Sequence, residues 1–100
     1  MKPSAILFDL DGTVFQDNKI IKGALETFFI LKKNEIPFRF ITNNTHLNKK
    51  ELVDKLKTFD VSICDDDILT SSVAAAIYCR HLKYKKIWLL VSDKSLEKDF

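Results

Sequence analysis

Two short polar clusters in this 100-residue chain hold residues whose types and spacing suit chemistry on phosphorus. Asp9-Leu10-Asp11-Gly12-Thr13 follows the apolar run Ala5-Ile6-Leu7-Phe8, and Thr42-Asn43-Asn44-Thr45 follows Phe38-Arg39-Phe40-Ile41. Alternation along an extended segment points Asp9 and Asp11 to one side and turns Leu10 away. Gly12 permits a tight fold in which successive N–H groups converge on an anion. Two carboxylates on one side also make a hard oxygen site suited to Mg²⁺. A carboxylate beside a metal and an anion cradle can attack phosphorus to form an aspartyl-phosphate. The second carboxylate can donate a proton to the leaving oxygen and later take one from water. In the second cluster, the Thr42 hydroxyl and the Asn43 backbone N–H are candidate donors to phosphate oxygens, a positioning role that asks no proton chemistry of them.

Each cluster also has a plainer reading. Asp-x-Asp-Gly after a strand often serves as a turn, with Asp accepting local N–H bonds and Gly taking positive φ. Thr42-Asn43-Asn44-Thr45 reads equally as a turn and helix cap. Their shared placement favours chemistry, because both end an extended apolar segment, and open parallel sheets bind ligands beyond the carboxyl ends of their strands.

The elements that must position these clusters alternate along the chain. Residues 5–8 are apolar throughout and predict a buried parallel strand. Leu25, Phe28, Phe29 and Lys32 fall at helical spacing, predicting a helix from about residue 23 to 34 that stops before Pro37. Residues 38–41 predict a second strand. Leu52, Val53, Leu56 and Phe59 mark an amphipathic helix over residues 48–59. Residues 61–63 form a short extended piece before the acidic turn Cys64-Asp65-Asp66-Asp67, and Ser71 or Ser72 can cap a third helix through Val73, Ala76, Ile77 and Arg80. Ile87-Trp88-Leu89-Leu90-Val91 predicts the third main strand, with Trp88 packed, and a further helix begins at Ser92. Strands separated by helices imply right-handed βαβ units and a parallel sheet, hence one α/β domain, or part of one, over residues 1–100.

Composition removes other classes. The chain is 46% hydrophobic and 30% charged, which excludes a disordered tail. No run reaches the roughly 18 apolar residues of a membrane helix, and the first residues do not read as a signal peptide. A net charge of +2 gives no electrostatic footprint for nucleic acid or an anionic membrane. Arg80, Lys83, Lys85 and Lys86 form one basic patch, which a helix C-terminus accounts for. Cys64 and Cys79 lack ligand spacing and read as small residues in or near the core, and His46 and His81 read as solvated, so no zinc site is expected. Asp65, Asp66 and Asp67 read as a solvated turn. A cytoplasmic location is the expectation.

Phe8-Asp9-Leu10-Asp11-Gly12-Thr13 resembles the first motif of the haloacid dehalogenase-like phosphohydrolases, and Ile41-Thr42-Asn43-Asn44 resembles their second. The chain is more particularly similar to their subgroup IIA, which contains p-nitrophenyl phosphatases and phosphoglycolate phosphatases. Lys22-Gly23-Ala24, the stretch Asp66-Asp67-Ile68-Leu69-Thr70-Ser71-Ser72 and residues 87–91 support the likeness. The resemblance implies a three-layer Rossmann-like core with a parallel sheet. It implies Asp9 as nucleophile and Asp11 as general acid/base, with Mg²⁺ held by the Asp9 carboxylate and the Asp11 backbone carbonyl. Thr42 would hold the transferring phosphoryl group, helped by Asn43 and the backbone of Leu10. The substrate class implied is a small phosphorylated metabolite.

The same resemblance places a Lys of the family's third motif and the Asp residues of its fourth beyond these 100 residues, along with the substrate-selecting cap. Lys94, Lys98 and Asp93 are not assigned those roles. The chain then reads as the N-terminal portion of the core. Residues 5–8 would lie at an uncovered sheet edge, open to pairing with another copy or with a partner. The alternative to catalysis is a non-catalytic chain that associates through that edge. A phospho-receiver domain fits poorly, since the strand ends that should carry its phosphoacceptor hold Thr42 and Ser92.

Overall fold

The computed structural model of the chain describes residues 2–44, 46–91 and 93–100. Thr45, in the second polar cluster, and Ser92, at the start of the expected last helix, lie outside the described residues.

Strand β1 (Ile6–Asp9) pairs in parallel with β4 (Phe38–Thr42), and β4 pairs in parallel with β5 (Ile68–Thr70), giving the sheet order β1-β4-β5. Between β1 and β4 come a hairpin of β2 (Phe15–Gln16) and β3 (Lys19–Ile20) and then helix α1 (Ala24–Lys33). Helix α2 (Lys49–Thr58) links β4 to β5, and α3 (Ser71–His81) follows β5 directly. This is the expected α/β fold, a parallel sheet with flanking helices.

Strand alternation decides what is buried. Phe40 and Ile68 face one side and are almost wholly buried, with Phe8 and Phe38 packed against them. On the other side Leu7 is 65% exposed, Ile41 41% and Leu69 44%. The covered face carries four phenylalanines: Phe28 of α1 stacks on Phe38 with centroids 5.2 Å apart and meets Phe40 and Phe8 edge-on at 5.6 and 5.3 Å. Leu52 and Leu56 of α2 join the same cluster. β1, expected as a buried strand, is therefore covered on one face only and lies at the sheet edge, because no strand pairs with its outer side among the described residues.

Capping explains where the helices stop and start. Asn48 accepts the Glu51 N–H at 2.9 Å while Glu51 reaches back to the Asn48 N–H, a reciprocal capping box that starts α2. Among the described residues, α1, α2 and α3 each end in a left-handed residue: Glu35 (φ 57°), Asp60 (φ 64°) and Lys83 (φ 60°). At each, the N–H of that residue and the N–H after it turn back on the last carbonyls, as in Asp60 to Lys57 and Val61 to Leu56, both 3.0 Å. None of the three is glycine.

Several expectations are corrected. The third sheet strand is β5, not residues 87–91. Those residues adopt no strand, and Trp88 and Leu90 are 95% and 96% exposed rather than packed. Thr70, not Ser71 or Ser72, caps α3, since its hydroxyl accepts the Val73 N–H at 3.1 Å. α1 buries Phe28 and Leu31, while Phe29 is 69% exposed, so the apolar stripe runs one step from the expected one. Cys64 is exposed and so lies outside the core, whereas Cys79 is half-buried, near the core as expected. The last helix is a 3-10 turn over Lys94–Asp99, started by Asp93, which accepts the Ser95 N–H at 2.8 Å; that bond holds the Asp93 carboxyl below its ordinary range.

Candidate active site

Both polar clusters emerge at the carboxyl end of the sheet, where parallel strands deliver their loops to one side. Asp9 is the last residue of β1 and stands opposite Ile41, one residue before Thr42 at the end of β4. The side chain of Leu10 is fully buried while Asp9 and Asp11 on either side of it are exposed, as alternation requires.

Beyond Leu10 the chain folds into a compact turn. The Leu10 carbonyl accepts N–H groups from Thr13 (3.1 Å), Val14 (2.9 Å) and Phe15 (3.3 Å), and Gly12 donates to the Phe15 carbonyl at 2.8 Å. Gly12 holds φ 82°, a conformation that a side chain would strain. Burial of Val14 and Phe15 anchors the turn from below. The turn bonds fall on the carbonyls of Leu10 and Phe15 and not on that of Asp11.

Asp9, Thr42 and Asn43 line one open depression of about 490 Å³, which Thr70 and Ser71 close on the far side. Thr42 is only 7% exposed, and its hydroxyl oxygen accepts the Asn44 N–H at 3.1 Å, leaving its own proton to donate. Asp11 stands outside this lining. Its carboxylate accepts the Asn44 side-chain amide at 3.2 Å, which ties the two clusters together. Asn44, Thr70 and Ser71 were not singled out as site residues from the sequence. Asn44 carries a readable signal, since an Asn side chain in a turn commonly accepts the N–H groups two and three residues further on, here those of His46 and Leu47. Thr70 and Ser71 depend on β5 joining the sheet, which short-range pattern does not reveal.

The remaining acidic cluster does other work. Asp67 pairs with Arg39 at 3.1 Å and accepts the Cys64 N–H at 2.9 Å. Among the described residues no group of three or more His, Cys, Asp or Glu side chains is placed to hold a metal ion. Among them, too, no helix is long and apolar enough to cross a membrane.

A profile of the haloacid dehalogenase-like hydrolases matches residues 6–99, nearly the full chain. The chain belongs to that family. Among curated haloacid dehalogenase-like relatives, it is 34% identical over 91 residues to the sugar-phosphatase AraL of Bacillus subtilis, covering 90% of this chain and 34% of AraL. It is 35% identical over 80 residues to the 5'-nucleotidase YutF of the same organism, covering 80% of this chain and 30% of YutF. Its structure superposes on the crystal structure of 4-nitrophenylphosphatase from Thermotoga maritima with a TM-score of 0.85 and 32% identity, covering 97% of this chain and 37% of that one. The chain thus spans about a third of the length of the relatives it matches, and the p-nitrophenylphosphatase likeness agrees with the subgroup IIA resemblance.

Proposed function

We propose that residues 1–100 form the N-terminal portion of a phosphatase core that hydrolyses a small phosphomonoester through an aspartyl-phosphate on Asp9. The observation that carries this reading is the meeting of Asp9, Thr42 and Asn43 around one depression at the carboxyl end of the sheet. That the relatives are named as a sugar phosphatase, a 5'-nucleotidase and a nitrophenylphosphatase supports the substrate class.

The Asp9 carboxylate attacks phosphorus; as its O–P bond forms, the ester P–O bond breaks, and the Asp11 carboxyl gives its proton to the departing oxygen. Asp11, then a carboxylate, takes a proton from water as that water attacks phosphorus. The acyl-phosphate bond breaks, releasing inorganic phosphate and restoring Asp9. The Thr42 hydroxyl donates to a phosphoryl oxygen, and the backbone N–H groups of Leu10 and Asn43 hold the others.

Mg²⁺ is the cofactor proposed. The donors fit it in kind, being hard oxygens: the Asp9 carboxylate and the Asp11 carbonyl, on which none of the turn bonds falls. With so few protein ligands in these residues, water and substrate oxygens would fill part of the shell. When bound, the ion would neutralise charge on the phosphoryl oxygens.

The test is hydrolysis of p-nitrophenyl phosphate, with Mg²⁺ present, by the longest natural product that contains these residues. Asp9→Asn is expected to abolish turnover, and activity that survives this change would sink the assignment. Because Asp9 is exposed, stability should stay within about 0.5 kcal/mol.

The exposure of Leu7 at the β1 edge favours a second reading, a non-catalytic chain that associates through that edge. It predicts concentration-dependent association with no turnover, and sedimentation beside the same assay separates the two.

A further inference from the structure

Asn44 makes five hydrogen bonds to other described residues, and together they fix its orientation. Its Oδ1 accepts the backbone N–H groups of His46 at 2.8 Å and Leu47 at 2.9 Å. Only the oxygen of an amide can accept, so these two donors settle which way the side chain is turned, and the NH₂ must face the other way. There it donates to Oδ2 of Asp11 at 3.2 Å. The main chain is held as firmly: the Asn44 N–H donates to the Thr42 hydroxyl at 3.1 Å, and its carbonyl accepts the Ser71 hydroxyl at 3.4 Å. The residue is thereby tied to the end of β4, the entry to α2 and the first turn of α3.

We propose that Asn44 is a positioning residue for Asp11. Asp11 is exposed, and a free aspartate there would sample several rotamers. A donor rigidly mounted on a different strand end selects one of them, engaging Oδ2 and leaving Oδ1 toward the leaving group. This rests on the phosphatase reading above, in which Asp11 protonates that leaving group. Misplacing a catalytic group by about 1 Å can cost about 10²-fold in rate. Asn44 touches no reacting atom and acts through Asp11.

Asn44→Asp separates this role from support of the loop. It keeps an oxygen for the His46 and Leu47 N–H groups but has no N–H to offer Asp11. Asn44→Ala removes both. The readout is kcat/KM on two substrates, because nitrophenolate departs without a proton whereas an alkoxide needs one. For Asn44→Asp, kcat/KM on an alkyl phosphate such as glycerol 2-phosphate is expected to fall about 10²-fold, and on p-nitrophenyl phosphate less than about tenfold. Its thermal midpoint should stay near that of the unmutated chain, while Asn44→Ala lowers it. Equal losses on the two substrates, or no loss on either, would overturn the positioning role.

A second measurement holds even if Asn44→Asp misfolds. In the otherwise unmutated chain, the side-chain amide resonances of Asn44 should move when Asp11 is changed to Ala. An unmoved amide also overturns the proposal. Absence of turnover in the longest natural product that contains these residues overturns the phosphatase reading itself, and the amide measurement then still decides whether the contact exists.

Discussion

Replacing Thr42 with Val removes one hydroxyl from the candidate site and keeps a β-branched side chain that suits the end of β4. The structure gives that hydroxyl two jobs of different size. Its oxygen accepts the Asn44 N–H at 3.1 Å, and losing a hydrogen bond of this kind costs about 0.5–1.5 kcal/mol. Asn44 is half-buried, so water can take over part of the vacancy and the expected stability loss is about 1 kcal/mol. Its proton is the proposed donor to a phosphoryl oxygen. Removing one preorganised donor of that kind lowers kcat by about 10²–10³, or about 2.7–4 kcal/mol of barrier.

Thr42→Ser supplies the control. It keeps the hydroxyl and deletes a methyl from a side chain that is 93% buried, which costs about 1 kcal/mol of stability. The two variants should therefore unfold at similar urea concentrations yet differ about 10²-fold in turnover of p-nitrophenyl phosphate, with Ser near the unmutated value. Urea denaturation and steady-state kinetics on the same preparations measure both quantities. If Thr42→Val turns over within threefold of Thr42→Ser at matched stability, the hydroxyl does not hold the phosphoryl group and the reasoning fails.

Three further outcomes follow from the fold. Phe40→Ala, at a position 1% exposed among four rings, should cost about 3–5 kcal/mol, enough to abolish a cooperative urea transition in a chain of this size, while Phe29→Ala stays within about 0.5 kcal/mol. Asp60→Gly should raise stability by about 1 kcal/mol, because φ 64° strains any side chain; a lower urea midpoint would contradict that account. Leu7→Lys should weaken self-association: Leu7 is 65% exposed, so burying the rest offers about 1–2 kcal/mol per copy and about 2–4 across a symmetric pair, or about 30- to 10³-fold in Kd. Sedimentation of the unmutated chain as a monomer at every concentration would refute that edge as an interface.

What was legible in the sequence follows range of interaction. Helices α1 and α2 fall within a residue of their expected ends because caps and Pro37 are local signals, and Asp60 stands out as a helix exit where Gly would be easier. Asp9, Asp11, Thr42 and Asn43 were readable because each follows an apolar strand at a fixed spacing. The misreading of residues 87–91 has the opposite origin. Apolar, β-branched content marks a segment that can pair, whereas pairing itself needs an edge at the right place, and the place beside β4 is taken by β5. The β2–β3 hairpin was missed because its strands are two residues each, too short for any alternation to show, although Asp17 at φ 54° makes the turn that joins them. Trp88 could not be placed for the same reason as its segment.

The sheet is fully packed on one face and only partly covered on the other; Ile41 and Leu69 of that second face line the depression, yet the contacts that orient the polar groups do not run through it. Asp11 is oriented by Asn44, Asn44 by the N–H groups of His46 and Leu47, and the turn after Leu10 by three bonds to one carbonyl. All of these are local or cross a single β1–β4 junction, and β1 and β4 are held in register by four consecutive pairs over the phenylalanine cluster. Leu7, Ile41 and Leu69, by contrast, leave apolar surface unburied and so withhold stabilisation from the whole domain. Site geometry and global stability are therefore separable here. Covering that second face further should raise the unfolding free energy of the chain and leave the Asn44–Asp11 contact as it is. That separation can be followed through the Asn44 side-chain amide as urea is added. Its signal should keep the native shift up to the cooperative transition, and drift well below that transition would mean that the site needs a fuller cover of that face to hold its form.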